Sequence, residues 1–289
     1  MTTTNLLPLI FYHSADSDDA FMYWALKKGI INSAPFTIDI RTGNTEDLNQ
    51  LALRGKADIC ALSIYTYGFI ADQYILCSHS GSMGRNYGPV IVAKKPYPID
   101  KLPSLLVATP GEKTTAHCLL KMFSPLTKTK VIPIVPFEKI IKAIDEGEVD
   151  AGLLIHEGLL LYSAYGLHLV ADLGKWWFQK TSLPLPLGGT VIKKSLGKEV
   201  VAFLSSCLKK SIKYALEHRE EVLYKIIQED PRMIEGLHNS RLIDNYLSLY
   251  ANEDALDYGE EGKKAIQTFF NLAYNAGLLP QPVEVEFIS

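Results

Sequence analysis

The sequence predicts an α/β protein of two similar lobes facing a shared cleft, each lobe a mixed, mainly parallel sheet flanked by helices. Three observations carry this. A strand–helix–strand–helix–strand order occurs over residues 9–63 and again over residues 105–155. The two units close on similar phrases, Gly55-Lys56-Ala57-Asp58 and Gly147-Glu148-Val149-Asp150. Two stretches, residues 80–89 and 185–192, suit a chain that leaves the first lobe and returns to it. A chain of 289 residues, 47% hydrophobic, has enough apolar surface to fill such cores.

The first strand is Leu9-Ile10-Phe11-Tyr12-His13, followed by the polar turn Ser14-Ala15-Asp16-Ser17-Asp18-Asp19. A helix over residues 20–28 follows, with Ser17 or Asp18 as N-cap, because a short side-chain oxygen there can accept an orphaned first-turn N–H. Phe36-Thr37-Ile38-Asp39-Ile40 alternates as a strand, and a helix over 45–54 buries Leu48, Leu51 and Ala52 before stopping at Gly55. Ala57-Asp58-Ile59-Cys60-Ala61-Leu62-Ser63 closes the unit. In the second unit Leu105-Leu106-Val107-Ala108 is a strand, Thr109-Pro110-Gly111-Glu112-Lys113 a turn, and Thr114-Thr115-Ala116 opens a helix. Residues 130–135 form a strand interrupted by Pro133, which lacks an N–H and so favours a sheet edge. The helix over 137–146 carries Phe137, Ile140, Ile141 and Ile144 on one face, ends at Gly147 and leads into a strand over 149–155.

The first crossing, Ser80-Gly81-Ser82-Met83-Gly84-Arg85-Asn86-Tyr87-Gly88-Pro89, holds three glycines, which implies a positive-φ turn or a close backbone approach. A strand over 90–93 follows. The domain assignment is residues 1–93 plus 191–289 for the first, larger lobe and residues 94–190 for the second. Helices over 197–217, 219–228, 239–250 and 260–276 form a cap on the first lobe, ahead of a strand-like tail at 283–288. No low-complexity linker occurs, as expected of domains joined by crossing strands.

A net charge of −3 and a pI near 6.2 provide no basic field, so neither nucleic acid nor an anionic membrane surface is an expected partner. The first residues lack the charged and apolar regions of a signal peptide, and no apolar run reaches the ~18 residues of a membrane span, so a cytoplasmic protein is expected. Four scattered cysteines without a CxxC pair indicate neither a zinc site nor a disulfide framework. Asp16, Asp18 and Asp19 lack the spacing, the Gly and the distal Glu of a calcium loop; they suit helix capping, with one side chain reaching the cleft. HExxH, GxGxxG after a strand, GxxxxGK[ST] and GxSxG are absent. No metal or cofactor is expected.

The candidate chemistry centres on Gly152-Leu153-Leu154-Ile155-His156-Glu157-Gly158, a buried strand delivering an ionisable side chain to the end where open α/β sheets bind ligands. Imidazole accepts a proton near neutral pH, which makes His156 the candidate general base, against the alternative of a structural histidine. Aligning the closing phrases puts Ser63 on Ile155 and Ile64 on His156, so Ser63 and His156 face one cleft. Glu157 is expected to face solvent. Thr114 and Thr115 combine hydroxyls with the free amides of a helix start, suited to a carboxylate or to hydroxyls, although capping alone explains one threonine. Trp176-Trp177 could wall a pocket for a flat ligand or simply fill the core.

Six segments in order resemble the 1,4-dihydroxy-6-naphthoate synthase family of menaquinone biosynthesis by the futalosine route: Ser-x-Asp-Ser-Asp-Asp-Ala-Phe-Met, Gly-Ser-Met-Gly-Arg-Asn-Tyr-Gly-Pro, Thr-Thr-Ala, Leu-Ile-His-Glu-Gly, Asp-Leu-Gly-Lys-Trp-Trp and Leu-Pro-Leu-Pro-Leu-Gly-Gly. The resemblance implies the fold of type II periplasmic binding proteins. It implies a lyase that cleaves cyclic dehypoxanthinyl futalosine to 1,4-dihydroxy-6-naphthoate without metal or redox cofactor, on a small-molecule substrate, a nucleoside-derived polycycle with a carboxylate. His156 is then the proton acceptor, and Ala61, Leu62, Ser63, Thr114, Thr115, Ala116, Asp19 and Trp176 are the candidate substrate contacts. One departure is visible: many members have Cys-Pro-Asn-Asp-Thr-Phe where this chain has Asp16-Ser17-Asp18-Asp19-Ala20-Phe21. The rival readings are a non-catalytic solute-binding protein of the same fold and the related enzyme that dehydrates chorismate.

Overall fold

The two units fold alike, down to the residues that close them. A computed structural model describes residues 8–134, 138–156, 158–229 and 240–289; the expectations for Val135, Phe137, Glu157 and Asn239 fall outside the described residues. The first unit runs β1 (Pro8–Ser14), α1 (Ser17–Lys27), β2 (Thr37–Gly43), α2 (Thr45–Leu53), β3 (Ile59–Ser63), α3 (Ile64–Tyr67), β4 (Tyr74–Cys77) and β5 (Ser82–Gly84). The second runs β6 (Val90–Ala93), β7 (Leu106–Thr109), α4 (Thr115–Phe123), β8 (Lys128–Val131), α5 (Glu138–Asp145), β9 (Ala151–Leu154), α6 (Gly158–Leu161), β10 (His168–Asp172) and α7 (Leu173–Thr181). The chain returns through β11 (Leu185–Lys193) and ends with α8 (Lys198–Glu217), α9 (Arg219–Glu229), α10 (Ser240–Tyr250), α11 (Glu253–Leu256), α12 (Gly259–Asn275) and β12 (Phe287–Ile288).

In both units a left-handed glycine stops the second helix. Gly55 (φ +63°) and Gly147 (φ +73°) each place their own N–H and that of the next residue on carbonyls of the last helical turn: Gly55 on Ala52, Lys56 on Leu51, Gly147 on Ile144 and Glu148 on Ala143. An aspartate then ties the incoming strand to the first strand of its lobe. Asp58 N–H donates to Ile10 O while its carboxylate accepts from Ile10 N–H at 2.9 Å; Asp150 does the same with Leu106, at 2.8 Å.

The first sheet has the order β12-β4-β11-β3-β1-β2, with β5 on β11, and the second β10-β6-β9-β7-β8. In the first sheet β1 pairs parallel with β2 and β3, in the second β7 pairs parallel with β8 and β9, and the antiparallel neighbour of β3 and of β9 comes from the chain arriving out of the other lobe: β11 on β3 and β6 on β9. This moves the sequence-based lobe boundaries. Residues 90–93, assigned to the first lobe, hydrogen-bond in the second sheet, and Leu185–Thr190 of β11 pair with β5 and β3 in the first. The run Val90-Ile91-Val92-Ala93 is buried throughout, as a strand covered on both faces must be. β8 is an edge strand and ends before Pro133, as that proline requires.

The glycines of the first crossing serve close approach rather than positive φ. A Cβ on Gly81 would lie 2.4 Å from Gly188 O, and one on Gly84 2.1 Å from Tyr87 O. The long helix α8 packs on α1 through Leu204, Leu208, Ile212 and Ala215 against Phe21, Met22 and Ala25, the leucine, isoleucine, phenylalanine and methionine side chains each contributing ~1.5–3 kcal/mol by burial. Ser211 joins the two helices, donating to Met22 O at 2.8 Å and accepting from Leu26 N–H at 3.1 Å. All four cysteines are buried and unbridged, and among the described residues no helix is long and apolar enough to cross a membrane.

Candidate active site

The C-terminal ends of the parallel strands meet in a concave cleft between the lobes, lined from both sides by side chains of β3, α4 and the segment after β9. On the first-lobe side β3 ends at Ser63, which is buried at 4% exposure. Asn49 of α2 holds it twice: its Oδ1 accepts from Ser63 N–H at 3.0 Å and its Nδ2 donates to Ser63 Oγ at 3.2 Å. The Ser63 hydroxyl proton is therefore available to a ligand. At the end of β1, Ser14 N–H donates to Asp19 Oδ2 at 2.8 Å. Burial pushes the Asp19 carboxyl up to about 7, with the Asp16 charge adding to the rise and the Ser14 hydrogen bond opposing it.

On the second-lobe side Thr114 caps α4. Its Oγ1 accepts from His117 N–H at 3.2 Å and donates to Gly111 O at 2.7 Å. Thr115 Oγ1 donates to Leu187 O of the returning strand at 2.7 Å and accepts from Tyr65 N–H at 3.2 Å. Both hydroxyls are thus committed to the protein, and what this helix start offers the cleft is its first-turn amides, at the positive end of the helix dipole.

β9 stops at Leu154, and two residues later the backbone turns left-handed at His156, with φ +54°. A non-glycine residue there costs of order 1–3 kcal/mol, a strain that must be held by other contacts. His156 Nδ1 lies 3.2 Å from Asp16 Oδ2, and Nε2 lies 3.0 Å from Thr45 Oγ1. Both partners belong to the first lobe, so the imidazole spans the cleft. Further bonds cross beside it: Lys113 N–H donates to Glu46 Oε2 at 3.1 Å, and Thr66 Oγ1 to Lys113 O at 2.8 Å. The His156 and Asp16 side chains keep 18% and 16% exposure, so the pair is reachable from the cleft.

Of the residues proposed from the sequence, Asp19, Ala61, Leu62, Ser63, Thr114, Thr115, Ala116 and His156 line this one cleft. Trp176 does not. The tryptophan pair lies on α7, where Trp177 is fully buried with Nε1 donating to Pro184 O at 3.0 Å, and Trp176 packs edge-on against Phe123 under Lys180. The N-cap position of α1 is Asp16 rather than Ser17 or Asp18, and the Asp16 side chain makes no capping bond. Sequence reasoning missed Thr45, which it read only as a helix start, and Tyr246 and Tyr250 of α10, which wall the cleft from the C-terminal cap. The helical spacing of Ile243, Tyr246, Leu247 and Tyr250 is the signal the sequence carries, and it does not distinguish a cleft wall from a core face.

The sequence pattern of the family described as menaquinone biosynthesis matches residues 12–275. The 1,4-dihydroxy-6-naphthoate synthase of Thermus thermophilus is 35% identical over 272 residues, covering 93% of this chain and 96% of that protein. That of Streptomyces coelicolor is 31% identical over 271 residues, covering 93% of each. The crystal structure of a protein from Archaeoglobus fulgidus superimposes with a TM-score of 0.87 at 31% identity, covering 96% of this chain and all of that one. The alkanesulfonate-binding protein SsuA of Xanthomonas axonopodis, at 14% identity, gives a TM-score of 0.70 over 96% of each chain, which establishes the periplasmic-binding-protein fold. By sequence over nearly its whole length, and by a fold that agrees with it, the chain belongs to the menaquinone biosynthesis family.

Proposed function

We propose that the protein is a lyase converting cyclic dehypoxanthinyl futalosine to 1,4-dihydroxy-6-naphthoate, with His156 as general base. The observation that carries the reading is an imidazole turned by a left-handed residue into a cleft whose opposite wall ends in Ser63. In this reading His156 takes a proton from the bound substrate, and the electrons left behind break the bond between the naphthoate precursor and its sugar-derived portion. General-base catalysis contributes on the order of 10²–10⁴-fold, and orientation and exclusion of water in the closed cleft contribute the remainder. The substrate carboxylate suits the first-turn amides of Thr115 and Ala116. The Ser63 hydroxyl suits a ligand oxygen, and the rings of Tyr246 and Tyr250 suit the flat polycycle. The names of the two relatives and the match of the family pattern support the pathway.

The test incubates purified protein with cyclic dehypoxanthinyl futalosine, and separately with chorismate, and follows products by mass. The expected outcome is dihydroxynaphthoate from the first and no dehydration of the second. His156→Ala should lower turnover by about 10²–10⁴-fold while the product still binds. Tight binding without turnover by the unmodified protein would identify a solute-binding protein instead, and wild-type turnover in the variant would remove His156 as the base.

A further inference from the structure

The geometry points to Asp16 as a positioning residue that sets the tautomer of His156, so that the base is assembled only when the two lobes close. This rests on the reading of His156 as the base and adds to it a residue of the opposite lobe. An ionised carboxylate can only accept hydrogen bonds, so in a neutral imidazole at 3.2 Å from Asp16 Oδ2 the proton sits on Nδ1. Nε2 then carries the lone pair, and the Thr45 hydroxyl, 3.0 Å away, donates to it. The arrangement presents a basic nitrogen rather than an N–H to whatever enters beside Thr45.

The elements involved make this a matter of closure. Asp16 precedes α1 and Thr45 opens α2, both on the first lobe, whereas His156 follows β9 on the second. Asp16 stands at the N-cap position, yet its side chain makes no capping bond there. The first-loop departure from the family pattern, which also changes residues 17, 18 and 20, includes this residue, where many members have Cys. On proton transfer the substrate takes the place of the Thr45 hydroxyl at Nε2. The new N–H forms on Nε2 while Nδ1–H stays with Asp16, so the imidazolium is paired with a carboxylate that itself takes up no proton. The proton leaves from Nε2 to product or water, and the neutral ring returns to its starting tautomer.

The test compares Asp16→Asn, Asp16→Glu and Asp16→Ala with His156→Ala, reading kcat and KM separately, and records nitrogen spectra of ¹⁵N-histidine-labelled protein with and without dihydroxynaphthoate. An Asn amide can donate to Nδ1 and so favours the Nε2–H tautomer. Asp16→Asn should lower kcat by about 10²-fold or more with KM changed about threefold or less, as expected when a base is held in the wrong tautomer. The His156 signals should move from the Nδ1–H to the Nε2–H pattern, and Asp16→Glu should restore part of kcat. If Asp16→Asn does not fold, Asp16→Ala must show a mixture of tautomers with a lowered kcat. Wild-type kcat in Asp16→Asn or Asp16→Ala, or an unchanged Nδ1–H pattern, overturns the role of Asp16 provided His156→Ala is inactive. An active His156→Ala overturns the base itself.

Discussion

The ends of β3 and β9 occupy equivalent places in the duplicated unit, yet they are finished in opposite ways. After β3, Ser63 keeps an ordinary extended backbone (φ −63°, ψ 134°), starts α3 and is held through two bonds by Asn49 of its own lobe. After β9, His156 sits in the left-handed region, and among the described residues its two ring nitrogens find their partners, Asp16 and Thr45, across the cleft. One wall of the site is held by bonds within its own lobe, and the other by bonds between the lobes. A protein that only binds needs two walls of the first kind. With His156 as the proposed base, a wall of the second kind would make the chemistry conditional on closure, which protects a reactive intermediate from water.

The largest expected break in this comparison is kinetic. His156→Ala should act on kcat by about 10²–10⁴-fold, whereas Ser63→Ala should raise KM with kcat within about threefold, because a group that merely holds the ligand stabilises ground and transition states alike. Steady-state kinetics on the pair checks this. Equal effects on kcat would mean that Ser63 takes part in the chemistry.

Next in size is the scaffold of the fixed wall. Asn49→Ala removes both bonds to Ser63 and leaves a buried N–H without a partner, a loss of about 1–3 kcal/mol measurable by urea denaturation. On the opposite lobe, Thr114→Ala removes the α4 cap and should cost about 0.5–2 kcal/mol. If Asn49→Ala proves the milder change, water or a neighbouring side chain has taken over at Ser63.

What could be seen in the sequence divides along the same line as the two walls. The duplication was legible because its markers are local: a glycine that must adopt positive φ and an aspartate three residues on. Ser63 and His156 followed from aligning them. Thr45 and the role of Asp16 were not legible, because a contact among residues 16, 45 and 156 is made by bringing two lobes together and leaves no periodicity in either. Trp176 misled for a related reason. An aromatic doublet on a helix looks the same whether it walls a cleft or, as on α7, fills a core with one ring and covers Phe123 with the other. The boundary at Val90 failed because an apolar run fits either sheet, and only the pairing with β9 decides it.

The last effect, read as a change with pH rather than as a single loss, tests the electrostatics of the fixed wall. Burial raises the Asp19 carboxyl from its ordinary 3.8 to about 7. Between about 4 and 7 the unfolded chain ionises this group while the folded protein retains the proton, so folding binds more protons and stability from this source falls as pH rises, levelling off above 7. His13, His79 and His117, lowered by burial to about 4, act in the opposite sense between 6.5 and 4, where the unfolded chain binds more protons and stability rises with pH. Asp19→Asn keeps an oxygen for the Ser14 N–H and cannot ionise. Subtracting its melting profile from that of the unmodified protein cancels the histidines and isolates Asp19. The variant should gain stability relative to the parent steadily from pH 4 to 7, by a few degrees in Tm, and the gain should then hold constant. A difference independent of pH would mean that water enters the cleft far enough to solvate the carboxylate, and the first-lobe wall would then be less closed than its hydrogen bonds imply.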